Sequence, residues 1–160
     1  MKNFEPKKTN ILWTIVAFLV LAFFFAAAYK FKDILNPVVS ATAVLDDACD
    51  LRKGACTSTL SSGGTITFSI SPNNIPILRP LKLEVKVDGI EVSKTEVDFI
   101  GIGMEMGYNR SKLESKAKTL FAGSAILPVC IHTKMDWEAR VLLHTDDGLI
   151  MVPFRFFTLK

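Results

Sequence analysis

The sequence predicts an all-β protein: an immunoglobulin-like β-sandwich of seven or eight strands, preceded by one N-terminal transmembrane helix. Three observations lead to this fold class. Residues 11–29 form an uncharged apolar run, apolar residues beyond position 38 recur at every second position, and turn-forming residues interrupt that alternation at regular intervals. Short strands separated by regular turn signals are typical of a two-sheet sandwich, whereas strands alternating with helices would indicate a parallel sheet.

The apolar run at 11–29 contains one hydroxyl side chain, Thr14, and no charged residue. As a helix it would be about 28 Å long, close to the roughly 30 Å hydrocarbon core of a bilayer. A helix packed on a small soluble domain keeps a polar side, which this run lacks. We therefore expect a cytoplasmic N-terminus at 1–10, a transmembrane helix at 11–29 and a linker at 30–38.

Charges at the two ends of the run predict its orientation. Three lysines and Glu5 precede it, whereas two lysines and Asp33 follow it. This bias places the N-terminus in the cytoplasm and the rest of the chain in the periplasm or outside the cell. The alternative is a cleaved signal peptide, because residues 26–28 are all alanine. The run is longer than a signal-peptide core of about 7–15 residues, which favours an uncleaved anchor in the inner (plasma) membrane.

Residues 39–160 form the predicted exported domain. Alternating apolar residues predict strands at 39–45, 66–70, 81–87, 97–99, 119–127, 137–144 and 149–156. The polar stretch 112–118 breaks this alternation, and we expect it to hold a helical turn or a long loop.

Turn residues divide the predicted strands. Asp88-Gly89 predicts a tight hairpin into residues 90–92, and residues 146–148 (Asp-Asp-Gly) predict a second hairpin. Pro153 within the last strand suits an edge strand, because proline has no N–H to donate to a sheet ladder.

The chain has three cysteines. Cys49 and Cys56 lie in one polar loop, and outside the cytoplasm a disulfide between them is the expected state. The alternative is a redox-active dithiol or a metal-binding pair. Cys130 then has no cysteine left to pair with, so it needs another role, either as a small buried apolar residue or as a metal ligand.

Soft sulfur donors occur in two segments. Met104 and Met106 are two residues apart in a glycine-flanked stretch, so both side chains would point the same way in an extended conformation. Cys130 and His132 have the same spacing, and Met135 follows three residues later. Thioether and thiolate ligands select Cu(I) over hard ions, so these five residues are the predicted copper ligands. Methionine also fills irregular gaps in cores, and each methionine taken alone fits that role.

The segment from Met104 to Arg110, with Leu113 and residues 121–123 (Phe-Ala-Gly) after it, resembles the YtkA-like and FixH-like families. Their M-x-M-G-x-N element is followed by a strand ending in Leu-Pro, here residues 127–128, and by a tryptophan that opens a strand, here Trp137. The resemblance covers residues 80–157 and implies one membrane helix with an exported β-sandwich. It also implies a role in copper supply and in assembly of haem-copper respiratory oxidases.

This chain departs from the family pattern in two places. Cys130 and His132 follow the Leu-Pro pair, and the Cys49/Cys56 loop has no counterpart in the pattern. The departures fit either a specialised metal site or a branch with a different task.

We expect a membrane-tethered accessory protein that binds or delivers Cu(I), with the bilayer and a membrane complex such as a respiratory oxidase as partners. The rival hypothesis is a metal-free interaction module whose methionine-rich loop forms a contact surface. The net charge of +3 comes from scattered lysines and arginines rather than a basic stripe, so nucleic acid is not an expected partner. The chain lacks phosphate-loop, zinc-protease and nucleophile-elbow motifs, and we expect no enzymatic activity.

Overall fold

The computed structural model describes residues 7–35, 39–44, 48–129 and 131–160. The chain divides into two compact units, residues 1–38 and residues 39–160. The first unit contains one helix, α1 (Lys7–Leu35), which includes residues 30–35 that the sequence analysis assigned to the linker. Within the described part of the chain, no helix is both long and apolar enough to cross a bilayer.

The second unit is a curled β-sheet, which confirms a mostly β domain after one N-terminal helix. Its described residues form nine strands rather than seven or eight: β1 (Val39–Thr42), β2 (Cys56–Thr59), β3 (Thr65–Ser71), β4 (Pro80–Asp88), β5 (Lys94–Gly101), β6 (Arg110–Ala117), β7 (Leu120–Ile126), β8 (Lys134–Thr145) and β9 (Gly148–Leu159). The strand order is β1-β9-β8-β5-β6-β7-β4-β3-β2. Neighbouring strands are antiparallel except for the parallel pair β1 and β9.

Strand β6 joins the two halves of the sheet. Its first half pairs with β5, with Leu113 opposite Thr95, and its second half pairs with β7, with Glu114 opposite Ala122. Because β6 changes partner midway, the sheet bends there and its two halves share one core. Phe68 on β3 and Phe154 on β9 are six strands apart in the order, yet their ring centroids lie 5.4 Å apart.

Alternation along the strands explains this core. On β4 every second residue is buried, and the buried residues are Leu81, Leu83, Val85 and Val87. Side chains of a strand point to opposite faces in turn, so one face of β4 packs inward and its lysines and glutamate face outward. The largest fully buried side chain is Trp137 on β8, whose indole Nε1–H donates to Thr158 Oγ1 at 3.0 Å.

Two predictions about local structure were wrong. Residues 112–118 lie largely in strand β6 rather than in a helical turn or loop. Residues 90–92 form no strand, and β4 pairs with β3 and β7 instead of with a hairpin partner that follows Asp88-Gly89. The second predicted hairpin is confirmed, since Thr145 pairs with Gly148 across residues 146–147.

Strand β9 is not at the edge of the sheet, because β1 pairs with it. The pairing covers only Leu149 to Met151, and Ala43 N–H adds a bond to the Met151 carbonyl. Pro153 lies beyond this last β1 contact, where β9 needs no further donor on that side. Proline's missing N–H therefore fits the part of β9 that has no β1 neighbour, although β9 as a whole is not an edge strand.

The sheet has two ends, which we name the entry pole and the far pole. The entry pole carries Val39, which pairs with Leu149 beside the β8–β9 turn, and the connections at 60–64, 89–93 and 118–119. The far pole carries the connections at 72–79 and 102–109, residues 127–129 and 131–133, and the end of β9. From Leu149 to Leu159 the strand spans about 33 Å, so the poles are that far apart.

Candidate metal site at the far pole

Gly101, the last residue of β5, lies at the centre of the methionine cluster. A Cβ atom at this position would overlap Met135 Cε and would lie 2.8 Å from Met106 Cγ and 2.6 Å from the Met104 carbonyl oxygen. Only a residue without a side chain leaves room for these contacts. The structure thus brings Met106 and Met135, which belong to different segments, against one Cα atom.

The Met104–Met106 segment owes its shape to two glycines. Gly103 and Gly107 have φ angles of 82° and 72°, in the left-handed region that glycine tolerates best. Between them, Met104 and Met106 are half-buried against the core while Glu105 is exposed. Both methionine side chains therefore point toward the core side, as their two-residue spacing predicts.

Met135 reaches the cluster from β8. It is 5% exposed and lies opposite Thr158, on the inner face of the sheet. The Ile102 N–H donates to the Asp136 carbonyl at 2.9 Å, which holds the start of the 102–109 segment against β8. This bond keeps Gly101 and Met135 adjacent.

The two remaining predicted ligands are His132 and Cys130, and the structure describes only His132. His132 lies in the exposed bend 131–133, and the Lys160 N–H donates to the Thr133 carbonyl at 3.0 Å to join this bend to the chain end. Cys130 lies outside the described residues. The described part of the chain holds no cluster of three or more His, Cys, Asp or Glu side chains. The predicted ligands that the structure brings together at Gly101 are Met106 and Met135.

Two neutral thioethers, Met106 half-buried and Met135 buried, suit a soft monovalent cation. Charged carboxylates, which hard divalent ions require, are represented nearby by Glu105, and its side chain is exposed. The chemistry of the pair fits Cu(I), which accepts thioether ligands, and further donors would have to come from the neighbouring segments.

The predicted disulfide is confirmed: Cys49 and Cys56 are bonded, with their Cα atoms 5.7 Å apart. Cys56 lies on β2 and is 1% exposed, whereas Cys49 is half-buried. β2 is the last strand in the sheet order and β1 is the first. The bridge therefore lies in the chain segment that connects the two edge strands, and it closes a short loop there. Leu51, within the bridged loop, is fully buried and adds to the core.

A cleft of about 420 Å³ lies beside the disulfide. Its lining includes Cys49, Asp50, Ile102, Asp136, Arg155, Phe156 and Phe157. Asp136 is exposed between the buried residues Met135 and Trp137, so it belongs to the outer face of β8. The lining of the cleft includes no methionine, although the cleft and the methionine cluster are both at the far pole.

A polar group on the outer face of the sheet was not predicted from the sequence. Glu96 on β5 is 5% exposed, and its carboxylate lies 3.0 Å from both Lys94 Nζ and His144 Nε2. Burial acts to raise the pKa of Glu96, but the hydrogen bonds and charges of Lys94 and His144 outweigh it and lower that pKa. His144 is therefore a partner of this carboxylate.

Exposed apolar side chains concentrate at the far pole. Eight large apolar residues of 39–160 are exposed among those described. Seven of them belong to the far pole: Leu78, Ile102, Tyr108, Ile126, Val129, Ile131 and Leu159. An apolar surface gathered at one end of a domain is typical of an interaction site.

Comparisons with protein-family models, with curated proteins and with solved structures gave no match to this chain.

Proposed function

We propose that this chain is a membrane-tethered, exported accessory protein that binds or delivers Cu(I), in support of haem-copper oxidase assembly. One observation carries the proposal: Met106 and Met135, from separate segments, both contact Gly101. Soft donors converging from distant parts of a sequence are what a Cu(I) site requires, whereas one methionine filling a core gap does not need a second.

In this proposal Met106 and Met135 are the first ligands, and Met104 belongs to the same segment. Cys130 and His132 complete the set, because they belong to the segment that leads directly into Met135. A thiolate or imidazole would add the stronger donor that two thioethers lack. The curled sheet is proposed to be an immunoglobulin-like sandwich whose far-pole loops carry this set.

Helix α1 is the proposed membrane tether. Large apolar side chains from Ile11 to Phe25 are exposed along its described part, and such a surface needs an apolar environment. Because Val39 starts at the entry pole, the chain joins the sheet about 33 Å from the proposed ligands. A tether raises the effective concentration of the domain near a membrane partner.

A Cu(I) titration of the purified full chain in detergent, with a competing chelator, tests the copper proposal. We expect one Cu(I) per wild-type chain and no uptake by the variant Met106→Leu/Met135→Leu. Leucine conserves volume and apolarity but removes sulfur. Met151→Leu is the matched control, because Met151 lies on β9 opposite Leu142, outside the cluster. A wild-type chain that takes up no copper overturns the proposal.

The rival function, a metal-free interaction module, has one observation in its favour: the seven exposed apolar residues of the far pole. Under this alternative the methionine segment contributes contacts rather than ligands. The variant Met104→Leu/Met106→Leu separates the two functions, because it retains an apolar surface without sulfur. Unchanged oxidase assembly in cells that carry this variant favours the interaction module, and lost assembly together with lost copper binding favours the copper site.

A further inference from the structure

We propose that the Cys49–Cys56 bridge is a thiol–disulfide exchange site, attacked at Cys49 from the cleft by a thiolate of a partner dithiol. The proposal does not rest on copper, because the exchange uses the two sulfurs of the bridge and no methionine lines the cleft.

The two sulfurs differ in access. Cys49 lines the cleft, whereas Cys56 is 1% exposed and points into the core from β2. An attacking thiolate must approach one sulfur along the line of the S–S bond, so the rate depends on which sulfur it can reach. The cleft leaves Cys49 as the sulfur open to attack and Cys56 as the leaving group.

The cleft has the chemistry to receive a cysteine-bearing segment. Ile102 and the Phe156–Phe157 pair supply apolar contacts. Asp50, Asp136 and Arg155 supply charges of both signs, and Arg155 Nε lies 3.7 Å from Glu138. Arg52, inside the bridged loop, lies with its guanidinium carbon 4.1 Å from the centre of the Phe157 ring. The apolar side chains beside Cys49 offer contacts to an incoming segment.

The exchange balances in two steps. The incoming thiolate forms a bond to Cys49 Sγ while the Cys49–Cys56 bond breaks, and the electron pair goes to Cys56, which takes a proton from solvent. The second thiolate of the partner then attacks the partner's own sulfur in the mixed disulfide, and Cys49 leaves as a thiolate that is protonated in turn. The bridge gains two electrons and two protons, and the partner dithiol becomes a disulfide.

Two full-length variants in a Cys130→Ser background test which sulfur reacts. Cys56→Ser leaves the Cys49 thiol, and Cys49→Ser leaves the Cys56 thiol. With oxidised glutathione as the probe, we expect a mixed disulfide at Cys49 to form at least about tenfold faster than one at Cys56. Mass spectrometry of the intact chain measures both rates. Equal rates, or a faster reaction at Cys56, overturn the proposal.

A second measurement keeps the bridge intact, so that misfolding of a single-cysteine variant cannot decide the outcome. Dithiothreitol reduction of Cys130→Ser is followed with and without Ile102→Trp, which fills the cleft. We expect reduction about tenfold slower with the tryptophan present. Ile126→Trp is the matched control, because Ile126 is exposed at the far pole but does not line the cleft. If the reduction rate follows global unfolding in urea and ignores Ile102→Trp, the cleft has no part in exchange.

Discussion

His144 Nε2 on β8 and Glu96 Oε2 on β5 lie 3.0 Å apart on the outer face of the sheet. Lys94 Nζ approaches the same carboxylate oxygen at 3.0 Å. A buried carboxylate depends on its hydrogen-bonding partners, because the loss of either Lys94 or His144 leaves the desolvation cost of its charge less compensated. This group therefore ties β5 to β8, and the contribution of Glu96 depends on pH.

The pH dependence follows from the lowered pKa of Glu96. A carboxyl group whose pKa is lower in the folded chain stabilises the fold above its unfolded pKa, near 4.5, and loses that contribution as pH falls below it. We expect Glu96→Gln to lower the free energy of unfolding by about 1–2 kcal/mol at pH 7. The difference should vanish in strong acid, and urea titrations at pH 7 and pH 3 measure it. A difference that grows toward low pH contradicts this account.

Gly101 is predicted to tolerate no side chain. In Gly101→Ala the new Cβ would overlap Met135 Cε and the Met104 carbonyl, and the backbone oxygen cannot move freely. We expect a loss of about 2–3 kcal/mol in the free energy of unfolding. Gly54→Ala is the matched control, because a Cβ there meets nothing within 4 Å. Equal stabilities of the two variants by thermal or urea unfolding would contradict the packing described for Gly101.

The disulfide is predicted to contribute to stability by closing a short loop between the two edges of the sheet. In the chain-entropy model a loop of this size contributes about 2.5 kcal/mol. Urea unfolding of Cys49→Ala/Cys56→Ala against the wild-type chain measures the loss, with Cys130→Ala as the control for removal of a cysteine outside the bridge. A double variant as stable as the wild-type chain would mean that packing of Leu51 alone closes the edge.

Sequence patterns predicted the strands with strict alternation and missed those without it. In β6 the side chains after Leu113 are exposed, so the stretch reads as polar, and it becomes a strand because β5 and β7 supply partners on its two sides. β2 has the same difficulty, since its inward residues are Cys56 and Ser58 rather than large apolar ones. The local pattern of apolar residues predicts which side chains are buried, whereas the pairing of a strand depends on the other strands of the sheet.

The candidate site was predicted residue by residue but not as a geometry. The two-residue spacing of Met104 and Met106 predicted that both would face one way, and both are packed on the core side. The approach of both Met106 and Met135 to Gly101 depends on the pairing of β5 with β8, which is non-local and which no segment encodes alone. The Glu96–His144 pair was missed for the same reason, because each residue alone resembles an ordinary solvated position.

The two methionines of the 102–109 segment are predicted to differ in their effect on copper. Met106 contacts Gly101 through its side chain, whereas Met104 contacts it through its carbonyl oxygen. The side chains of Met106 and Met135 both contact Gly101. Met106→Leu should therefore weaken Cu(I) binding by about 100-fold or more, and Met104→Leu by less. Chelator competition compares the two affinities, and urea unfolding checks that both variants fold equally well. If Met104→Leu is the more damaging change, the copper site is centred on Met104 rather than on the Met106–Met135 pair, and Met135 serves the core alone.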